Sequence, residues 1–443
     1  MERETGWLPD LIYIDRAFES GVAMFADAGG RITRFSREPG NSIRLAGRAM
    51  LPGLVNVHSH AFQRVIRGRT EKRTADRDTF WTWRVAMYHA ANRITPEAMF
   101  HVARMAFLEM ALSGITTVGE FHYVHHDSSG APYADRNSMA LAVVRAAREI
   151  GIRIVVLRTA YVRAGFGKPP DPGQARFITP RVEDFLADTD ELRKTVAVAV
   201  APHSVRAVPL DYLRELAAYA EVNGLPLHMH VAEQPAEVEA SIAEYGRRPV
   251  ELLHDEGIFD HRFTAIHAIH ITEEEARFLG RSTVCACPTS ERNLGDGAVP
   301  ADRLFDAGAR ICFGSDSNIQ IDILEDARLL EYHLRMNRLE RAIVPDGARK
   351  LFDSATESGA QSLQTPGGKF EIGRAADFFT VDLNDPSIAG SPADTLIDNI
   401  VFSLERTAIR EVAVDGKTMV HDGRHALAEE ITREFGKVQR SLW

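Results

Sequence analysis

Two histidines separated by a single residue follow the first strongly apolar segment of the chain. His58 and His60 come directly after the run LVNV at 54–57, which itself follows Pro52-Gly53. Because side chains alternate between the two faces of a strand, residues two apart point the same way. Two imidazoles on one face at the end of a strand are suited to hold one metal ion. The alternative is a pair of unrelated surface histidines.

Further histidines and carboxylates follow other apolar segments in the same manner. The motifs are APHSVRA with His203 and Arg206, LHMHVAEQ with His228, His230 and Glu233, AIHAIH with His267 and His270, and CFGSDSN with Asp316. Surface histidines without a common role would not be expected to follow one strand after another. The pattern therefore favours a single metal-dependent site.

The elements that must position these residues are eight apolar segments with the composition of buried strands. They cover 54–57, 115–121, 152–159, 196–201, 226–232, 263–268, 283–287 and 310–314. Amphipathic helical segments between them, such as 97–112, 139–150 and 210–222, end shortly before a glycine, as helix C-termini often do. Strands alternating with helices predict a parallel sheet, most simply a (β/α)8 TIM barrel. A doubly wound open sheet is the alternative, but no GxGxxG motif opens its first unit.

In such a barrel the active-site groups collect at the carboxyl ends of the strands. Catalytic zinc takes a few nitrogen and oxygen ligands and keeps one position for water. His58, His60, one histidine of the fifth strand and Asp316 would complete that set. His230 is chosen over His228 because it lies nearer the carboxyl end of its strand, and His228 is expected to fill the barrel interior.

The same ends of the strands offer groups that could move a proton. Glu233, three residues after His230, is placed to accept a proton from a metal-activated water and pass it to a leaving group. His267 could orient the attacking water or polarise the substrate, and Asp316 could accept a hydrogen bond from that water. The alternatives are a solvated glutamate in a loop and an aspartate that only caps the next helix.

The rest of the chain divides around the barrel. We expect residues 1–53 and 366–425 to form one small β-sandwich domain, residues 54–365 the barrel, and residues 426–443 a C-terminal helix. A helical segment is also predicted at 347–363. Segments 61–95, which contains FWTWR, and 164–179, which contains GFGKPPDPGQ, are predicted to be long loops with binding or lid roles.

Composition excludes several classes of function. A formal net charge of −10 argues against a nucleic-acid surface. No window approaches 18 apolar residues, so no membrane span is expected. Three cysteines, Cys285, Cys287 and Cys312, give no disulfide framework. The first residues, MERETGWLPD, lack the features of a signal peptide, and we expect a cytoplasmic protein.

With these residues in place, the chain resembles the amidohydrolase superfamily. The shared hallmarks are HxH after the first barrel strand, histidine after the fifth and sixth, and aspartate after the eighth. Many members carry two metals bridged by a carboxylated lysine at the end of the fourth strand, where this chain has APHSVRA without lysine. The resemblance therefore implies the branch with one metal ion.

Within that branch the chain is similar to the formimidoylglutamate deiminases, iminohydrolases of histidine degradation. The motifs that carry this likeness, in chain order, are NVHSHAFQR, FWTWR, EFHYVHHD, HSVRAV, HVAEQ, GRRPVELL, NLGDG, GSDS and GRAADFFTVDLNDP. Two features depart from the family pattern: Asn318 stands where histidine is expected, and PTSERNLGDG is altered before NLGDG. Neither touches a predicted ligand, so they bear on substrate detail rather than on the chemistry.

The resemblance implies roles for individual residues. It implies metal binding by His58, His60, His230 and Asp316, and proton transfer by Glu233 with His267 and Asp316 assisting. It places the substrate against Gln63, Arg84, Tyr123, His203 and Arg206. It also implies a small dicarboxylate formimino substrate, one zinc ion per chain (the ligand types suit iron as well) and a homodimer.

Two other functions remain open from the sequence. The first is an amidohydrolase-type deaminase of another amidine, such as guanine or an adenosine derivative, with Phe62, Trp81 and Trp83 available for stacking. We prefer to interpret these aromatic residues as loop packing. The second is a metal-binding barrel without catalysis, which the presence of Glu233 beside a full ligand set disfavours.

Overall fold

The computed structural model describes residues 4–72 and 79–443. It contains two sheets of eight strands each, one parallel and one mixed. The predicted fold class is confirmed: a parallel barrel stands beside a separate sheet to which both ends of the chain contribute. Within the described ranges no helix has the length and apolar character needed to cross a bilayer.

The mixed sheet combines strands from the two ends of the chain. Its order is β16-β15-β14-β5-β1-β3-β4, with β2 paired to β1, and the antiparallel pairing of β5 with β14 joins the two ends. The strands are β1 Thr5–Ile14, β2 Ala17–Ser20, β3 Ala23–Ala26, β4 Ile32–Ser36, β5 Ile43–Pro52, β14 Phe378–Asp382, β15 Ile409–Val414 and β16 Lys417–Val420. Trp7, Met24 and Phe378 are buried together with other apolar side chains in a small core of this sheet.

The barrel consists of eight parallel strands in sequence order. They are β6 Leu54–Ser59, β7 Ile115–His122, β8 Arg153–Ala160, β9 Ala197–Pro202, β10 Leu227–Val231, β11 Phe263–His267, β12 Thr283–Ala286 and β13 Arg310–Phe313. All eight predicted strands are confirmed to within one or two residues. The first and last strands meet at a single bridge, where the His60 amide donates to the Asp316 carbonyl and the Asp316 amide donates to the His58 carbonyl, both at 2.9 Å. The barrel thus closes at the predicted metal ligands.

Fifteen α-helices accompany the strands in the described residues. They are α1 Phe80–Arg93, α2 Pro96–Leu112, α3 Ser138–Ile150, α4 Val182–Arg193, α5 Leu210–Val222, α6 Pro235–Tyr245, α7 Pro249–Asp255, α8 Glu273–Phe278, α9 Pro288–Leu294, α10 Ala301–Asp306, α11 Ile323–Arg338, α12 Gly347–Ala355, α13 Glu357–Ser362, α14 Leu396–Ser403 and α15 Ala428–Leu442. The predicted helices are confirmed, with 347–363 divided in two at Thr356. Short 3-10 helices cover Ala61–Ile66, Pro172–Gln174, Leu279–Arg281 and Arg406–Ala408.

One predicted loop is wrong, and one is confirmed in the main. Segment 61–95 contains the 3-10 helix Ala61–Ile66 and the helix α1, which covers FWTWR. The helix forms because Phe80, Met87, Ala90 and Ala91 recur at helical spacing on its buried side. Segment 164–179 is irregular apart from the turn Pro172–Gln174. Residues 73–78 of the first segment lie outside the described residues.

Gly53 connects the mixed sheet to the first barrel strand. Only this residue separates β5 from β6, so the mixed sheet leads directly into the strand that carries His58. A Cβ atom at Gly53 would lie 2.2 Å from Thr116 Oγ1 and 2.8 Å from Thr116 Cβ. The close approach of β7 therefore requires glycine at this junction.

Candidate metal centre and active site

Four side chains from three strand ends converge at the carboxyl end of the barrel. His58 lies on β6 and His60 directly after it, His230 lies on β10, and Asp316 follows β13. Each offers one ligand atom, and these atoms all lie within 4.8 Å of one another. Both His58 Nε2 and His60 Nε2 lie 3.3 Å from Asp316 Oδ1, and His230 Nε2 lies 3.2 Å from His58 Nε2. The four groups are all buried.

Hydrogen bonds through Nδ1 direct the Nε2 atoms of His60 and His230 toward the centre of the cluster. His60 Nδ1 donates to the Phe121 carbonyl at 2.9 Å, and His230 Nδ1 donates to the His203 carbonyl at 3.1 Å. A histidine that donates through Nδ1 presents the lone pair of Nε2, which is the usual arrangement of metal ligands. Burial lowers the pKa of His58 to about 3, so this ring is neutral.

The donor set fits a divalent metal ion. Unprotonated ring nitrogens and a carboxylate oxygen crowd around one point, where a cation would satisfy all of them. Nitrogen and oxygen donors of this kind suit zinc. His228, by contrast, is fully buried and its Nε2 lies 3.2 Å from the Ser362 carbonyl, so its side chain is away from the cluster, as the choice of His230 requires.

Several residues at and beside the cluster have strained backbone conformations. Ala232, His267, Ala268 and Asp316 are not glycines, yet they have positive φ values between 45° and 72°. Such conformations cost free energy and persist where the surrounding structure imposes them, which is common at functional sites.

Glu233 and His267 lie beside the four-ligand cluster and face each other. Glu233 Oε1 is 3.8 Å from His267 Nε2, and both side chains are buried. Burial raises the pKa of Glu233 above its ordinary value. Burial alone would lower the pKa of His267, but the carboxylates of Glu233 and Glu291 outweigh it and raise that pKa well above the ordinary value.

A pocket opens onto the cluster. The structure brings all five predicted substrate contacts to its wall, together with His60, His230, Glu233 and Asp316. These five are Gln63, Arg84, Tyr123, His203 and Arg206. Besides Trp83, which was considered for stacking, the remaining lining residues were missed by sequence reasoning: Phe80, Met87, Tyr88, Tyr161, Phe177 and Leu294. Helical spacing from Arg84 would have found Phe80, Met87 and Tyr88.

The two arginines of the pocket differ in what they contact. Arg84 on α1 donates to the Tyr88 hydroxyl. Arg206 is only 7 % exposed, and its Nε and Nη1 have no hydrogen-bond partner among residues 4–72 and 79–443. Leaving a buried charged donor unpaired is costly, so this guanidinium is ready to receive an anion.

The aromatic residues considered for stacking have different locations in the structure. Trp83 and Phe80 line the pocket, whereas Phe62 is buried in the protein core. Trp81 is 41 % exposed and lies under the Arg206 guanidinium, 5.6 Å from the ring centroid. Loop packing therefore does not describe Trp83, which belongs to the pocket wall.

Carboxylates behind the pocket were not predicted. Glu237 Oε2 accepts from the Glu233 amide at 3.2 Å, Asp296 accepts from the Gln234 side chain, and Glu291 Oε1 lies 3.2 Å from His267 Nδ1. Burial raises the pKa of Glu237 to about 7 and that of Asp296 to about 8. Glu237 lies only four residues after Glu233, but the contacts of Asp296 and Glu291 join separate segments, which no local pattern shows.

Asn318, which stands where the family pattern has histidine, contacts β6 from outside the pocket. Its Nδ2 donates to Ser59 Oγ at 3.2 Å and its Oδ1 accepts from Ser315 Oγ at 2.7 Å. It is fully buried and does not line the pocket. The residue that departs from the family pattern therefore links β6 to the segment after β13.

Comparison with known proteins agrees with this geometry. The model of the amidohydrolase family matches residues 49–419. The chain is 40% identical over 409 residues to a formimidoylglutamate deiminase of Pseudomonas aeruginosa, covering 89% of this chain and 90% of that protein. It is 28% identical over 403 residues to a 5-methylthioadenosine/S-adenosylhomocysteine deaminase of Natronomonas pharaonis, covering 89% and 85%. The crystal structure of an amidohydrolase from Brucella melitensis superimposes with a TM-score of 0.92 at 34% identity, covering 99% of each chain. The chain belongs to the amidohydrolase family.

Proposed function

We propose that this protein hydrolyses N-formimidoyl-L-glutamate to N-formyl-L-glutamate and ammonia, a step of histidine degradation. The observation that carries the proposal is Arg206, a buried guanidinium with unpaired N–H groups in the pocket that also contains Glu233 and the ligand cluster. A second cation, Arg84, lines the same pocket. The similarity to the deiminase of Pseudomonas aeruginosa supports the same substrate.

The substrate has features that match both ends of this pocket. It carries two carboxylates, and a guanidinium pairs with a carboxylate through two parallel hydrogen bonds. We assign its carboxylates to Arg206 and Arg84. Gln63, Tyr123 and His203 would complete the contacts, and Gln63 Nε2 already donates to the Tyr123 hydroxyl at 2.9 Å.

His58, His60, His230 and Asp316 would hold the metal ion. When bound, such an ion lowers the pKa of a coordinated water toward about 7 and so supplies a nucleophile at neutral pH. The chain supplies the rest. His60 and His230 keep their Nε2 atoms directed to the site through the hydrogen bonds of Nδ1.

Glu233 is the proposed proton carrier. Its carboxylate accepts the proton of the attacking water as the C–O bond to the formimino carbon forms, and the C=N bond becomes a single bond. Glu233 returns this proton to the terminal nitrogen. It then accepts the proton of the new hydroxyl as the formyl C=O bond forms and passes it to the same nitrogen, so that the C–N bond breaks and ammonia leaves. A raised pKa suits this double role, because the group must both accept and release a proton near neutral pH.

His267 and Asp316 are proposed to assist this transfer. His267 Nε2 lies on the Glu233 side of its ring and can donate to the oxygen that attacks the substrate. Asp316 Oδ1 lies beside both His58 and His60 and can accept a hydrogen bond from the water.

A deaminase of guanine or an adenosine derivative is the second candidate. Phe80, Trp83 and Phe177 on the pocket wall could stack against a ring, and the Natronomonas pharaonis relative is named for adenosine derivatives. The two arginines favour the acidic substrate. Arg84→Met separates the two, since the loss of a carboxylate partner should harm only turnover of formimidoyl-glutamate. A barrel that binds metal without catalysis would show stoichiometric metal binding and no ammonia release.

The test is an ammonia-release assay with zinc-loaded protein. Formimidoyl-glutamate is compared with formimidoyl-aspartate, guanine and adenosine. We expect turnover of formimidoyl-glutamate above the others, and loss of both metal retention and turnover in Asp316→Ala and His230→Ala. Preference for a purine, or full activity in metal-free protein, would contradict the proposal.

Three finer points are also proposals. One zinc ion per chain is supported by the cluster of His58, His60, His230 and Asp316 and by a fourth strand that ends without lysine; metal analysis of the purified protein tests it. The homodimer rests on the resemblance alone, and light scattering after size exclusion tests it. A cytoplasmic location is the third proposal, and cell fractionation tests it.

A further inference from the structure

Glu291 is a fully buried carboxylate directly behind the predicted catalytic histidine. It lies in α9, which only Cys287 separates from β12, and it is 0% exposed. Its Oε1 accepts from the Cys287 amide at 2.8 Å and lies 3.2 Å from His267 Nδ1. The carboxylate is thus tied to the backbone on one side and to the imidazole on the other.

The imidazole of His267 needs such support. His267 ends β11 with φ at 72°, and Ala268 follows at 50°, so the chain leaves the strand through two strained residues. Glu233 lies on the Nε2 side at 3.8 Å, a distance without a direct hydrogen bond. Glu291 makes the one hydrogen bond to this ring in the described residues.

We propose that Glu291 is a positioning residue, which holds His267 so that Nδ1–H points away from the pocket and Nε2 points to the reacting groups. A carboxylate can only accept, so it selects the ring forms that carry hydrogen on Nδ1. The same partner restricts rotation of the ring. This inference rests on the proposed function for the role of His267, but the hydrogen bond itself does not.

A second metal site is the competing interpretation of these residues. Ligand atoms of His267, Cys287 and Glu291 lie within 4.8 Å of one another. However, Glu291 Oε1 is already engaged by the Cys287 amide and the imidazole. Burial also raises the pKa of the Cys287 thiol to about 11, which disfavours the thiolate that a metal requires.

The matched control is Asp326, another fully buried carboxylate that anchors the same helix. It accepts from the Thr289 amide of α9 at 2.9 Å and makes no hydrogen bond to His267 in the described ranges. Glu291→Gln and Asp326→Asn each replace one buried carboxyl group, the first within α9 and the second in contact with it. Only the first removes the carboxyl group that contacts the imidazole.

The variants are compared by kcat, KM, zinc content and the low-field proton NMR spectrum. For Glu291→Gln we expect kcat to fall about 10- to 100-fold, the range for loss of a partner that orients a site histidine, with KM and zinc content near wild type. Asp326→Asn should keep kcat whatever its stability. A ring N–H resonance that His267→Ala removes should shift in Glu291→Gln and stay in Asp326→Asn.

Other results would overturn the inference. An unchanged kcat in Glu291→Gln, an equal fall in Asp326→Asn, or an unshifted N–H resonance each does so. A second zinc that is lost in Glu291→Gln would favour the metal interpretation instead. If Glu291→Gln does not fold, Glu291→Asp is measured instead, because its side chain is one methylene shorter and places the carboxylate farther from His267. A kcat equal to that of the wild type in Glu291→Asp would also contradict the inference. If wild type does not release ammonia from formimidoyl-glutamate, the proposed function fails, and the N–H resonance alone decides the inference.

Discussion

Arg206→Met is the perturbation that bears most directly on substrate choice. The substitution removes a guanidinium that is 7 % exposed while keeping an unbranched side chain in its place. The substrate carboxylate would then be buried without its partner. Truncating one partner of a buried charge pair costs about 2–5 kcal/mol. At about 1.4 kcal/mol per tenfold change, we expect kcat/KM to fall by a factor between about 30 and several thousand.

The assay compares this loss across three substrates. They are formimidoyl-L-glutamate, formimidoyl-L-glutamine, which lacks the side-chain carboxylate, and 4-formimidoylaminobutyrate, which lacks the α-carboxylate. The loss should shrink strongly for the analogue whose missing carboxylate is the one that Arg206 binds. This is a double-mutant cycle between protein and substrate.

Arg163→Met is the control for disturbance of the loop. Arg163 Nε donates to the Arg206 carbonyl at 3.0 Å, and its side chain does not line the pocket. We expect a small effect that is equal for all three substrates. An equal loss across the three substrates in Arg206→Met, or no loss at all, would refute the assignment of a carboxylate to Arg206.

Three further outcomes are expected. Burial raises the pKa of Glu237 to about 7 from 4.5, so between these pH values the folded protein keeps a proton that the unfolded chain releases. Its contribution to the free energy of unfolding therefore falls by about 3 kcal/mol as pH rises through this window, and Glu237→Gln should flatten the pH dependence seen in urea titrations. Gly53→Ala should lower stability by about 1–3 kcal/mol through the contact with Thr116, whereas Gly165→Ala, with its nearest atom at 3.8 Å, should cost less in the same thermal melts. Chelation should abolish ammonia release and lower Tm, and added zinc should restore both, because an ion bound only by the folded state stabilises it.

The sequence predicted the parts of this molecule that depend on local periodicity. Alternation along a strand places His58 and His60 on one side, and a barrel brings them to Asp316, 256 residues after His60 by the printed numbering. His230 and His228 share a face, and their depth along β10 separates the residue in the cluster from the one in the interior.

Two kinds of feature could not be predicted in this way. The run FWTWR predicts a loop when it is read by itself, because five residues are too few to show the helical spacing that continues to Met87, Ala90 and Ala91. Glu237, Glu291 and Asp296 are ordinary acidic residues in the sequence. Glu237 is a local neighbour of Glu233, but the burial that raises the pKa of all three carboxyl groups depends on the assembled barrel, as do the contacts of Glu291 and Asp296.

The most direct test of the account follows the nitrogen of the formimino group. Zinc-loaded protein is incubated with formimidoyl-L-glutamate that carries a heavy isotope on its terminal nitrogen, and the products are identified by NMR and mass spectrometry. The account predicts labelled ammonia and N-formyl-L-glutamate in equal amounts, with one oxygen from water in the formyl group. Labelled formamide together with glutamate, or no turnover of this substrate, would contradict it.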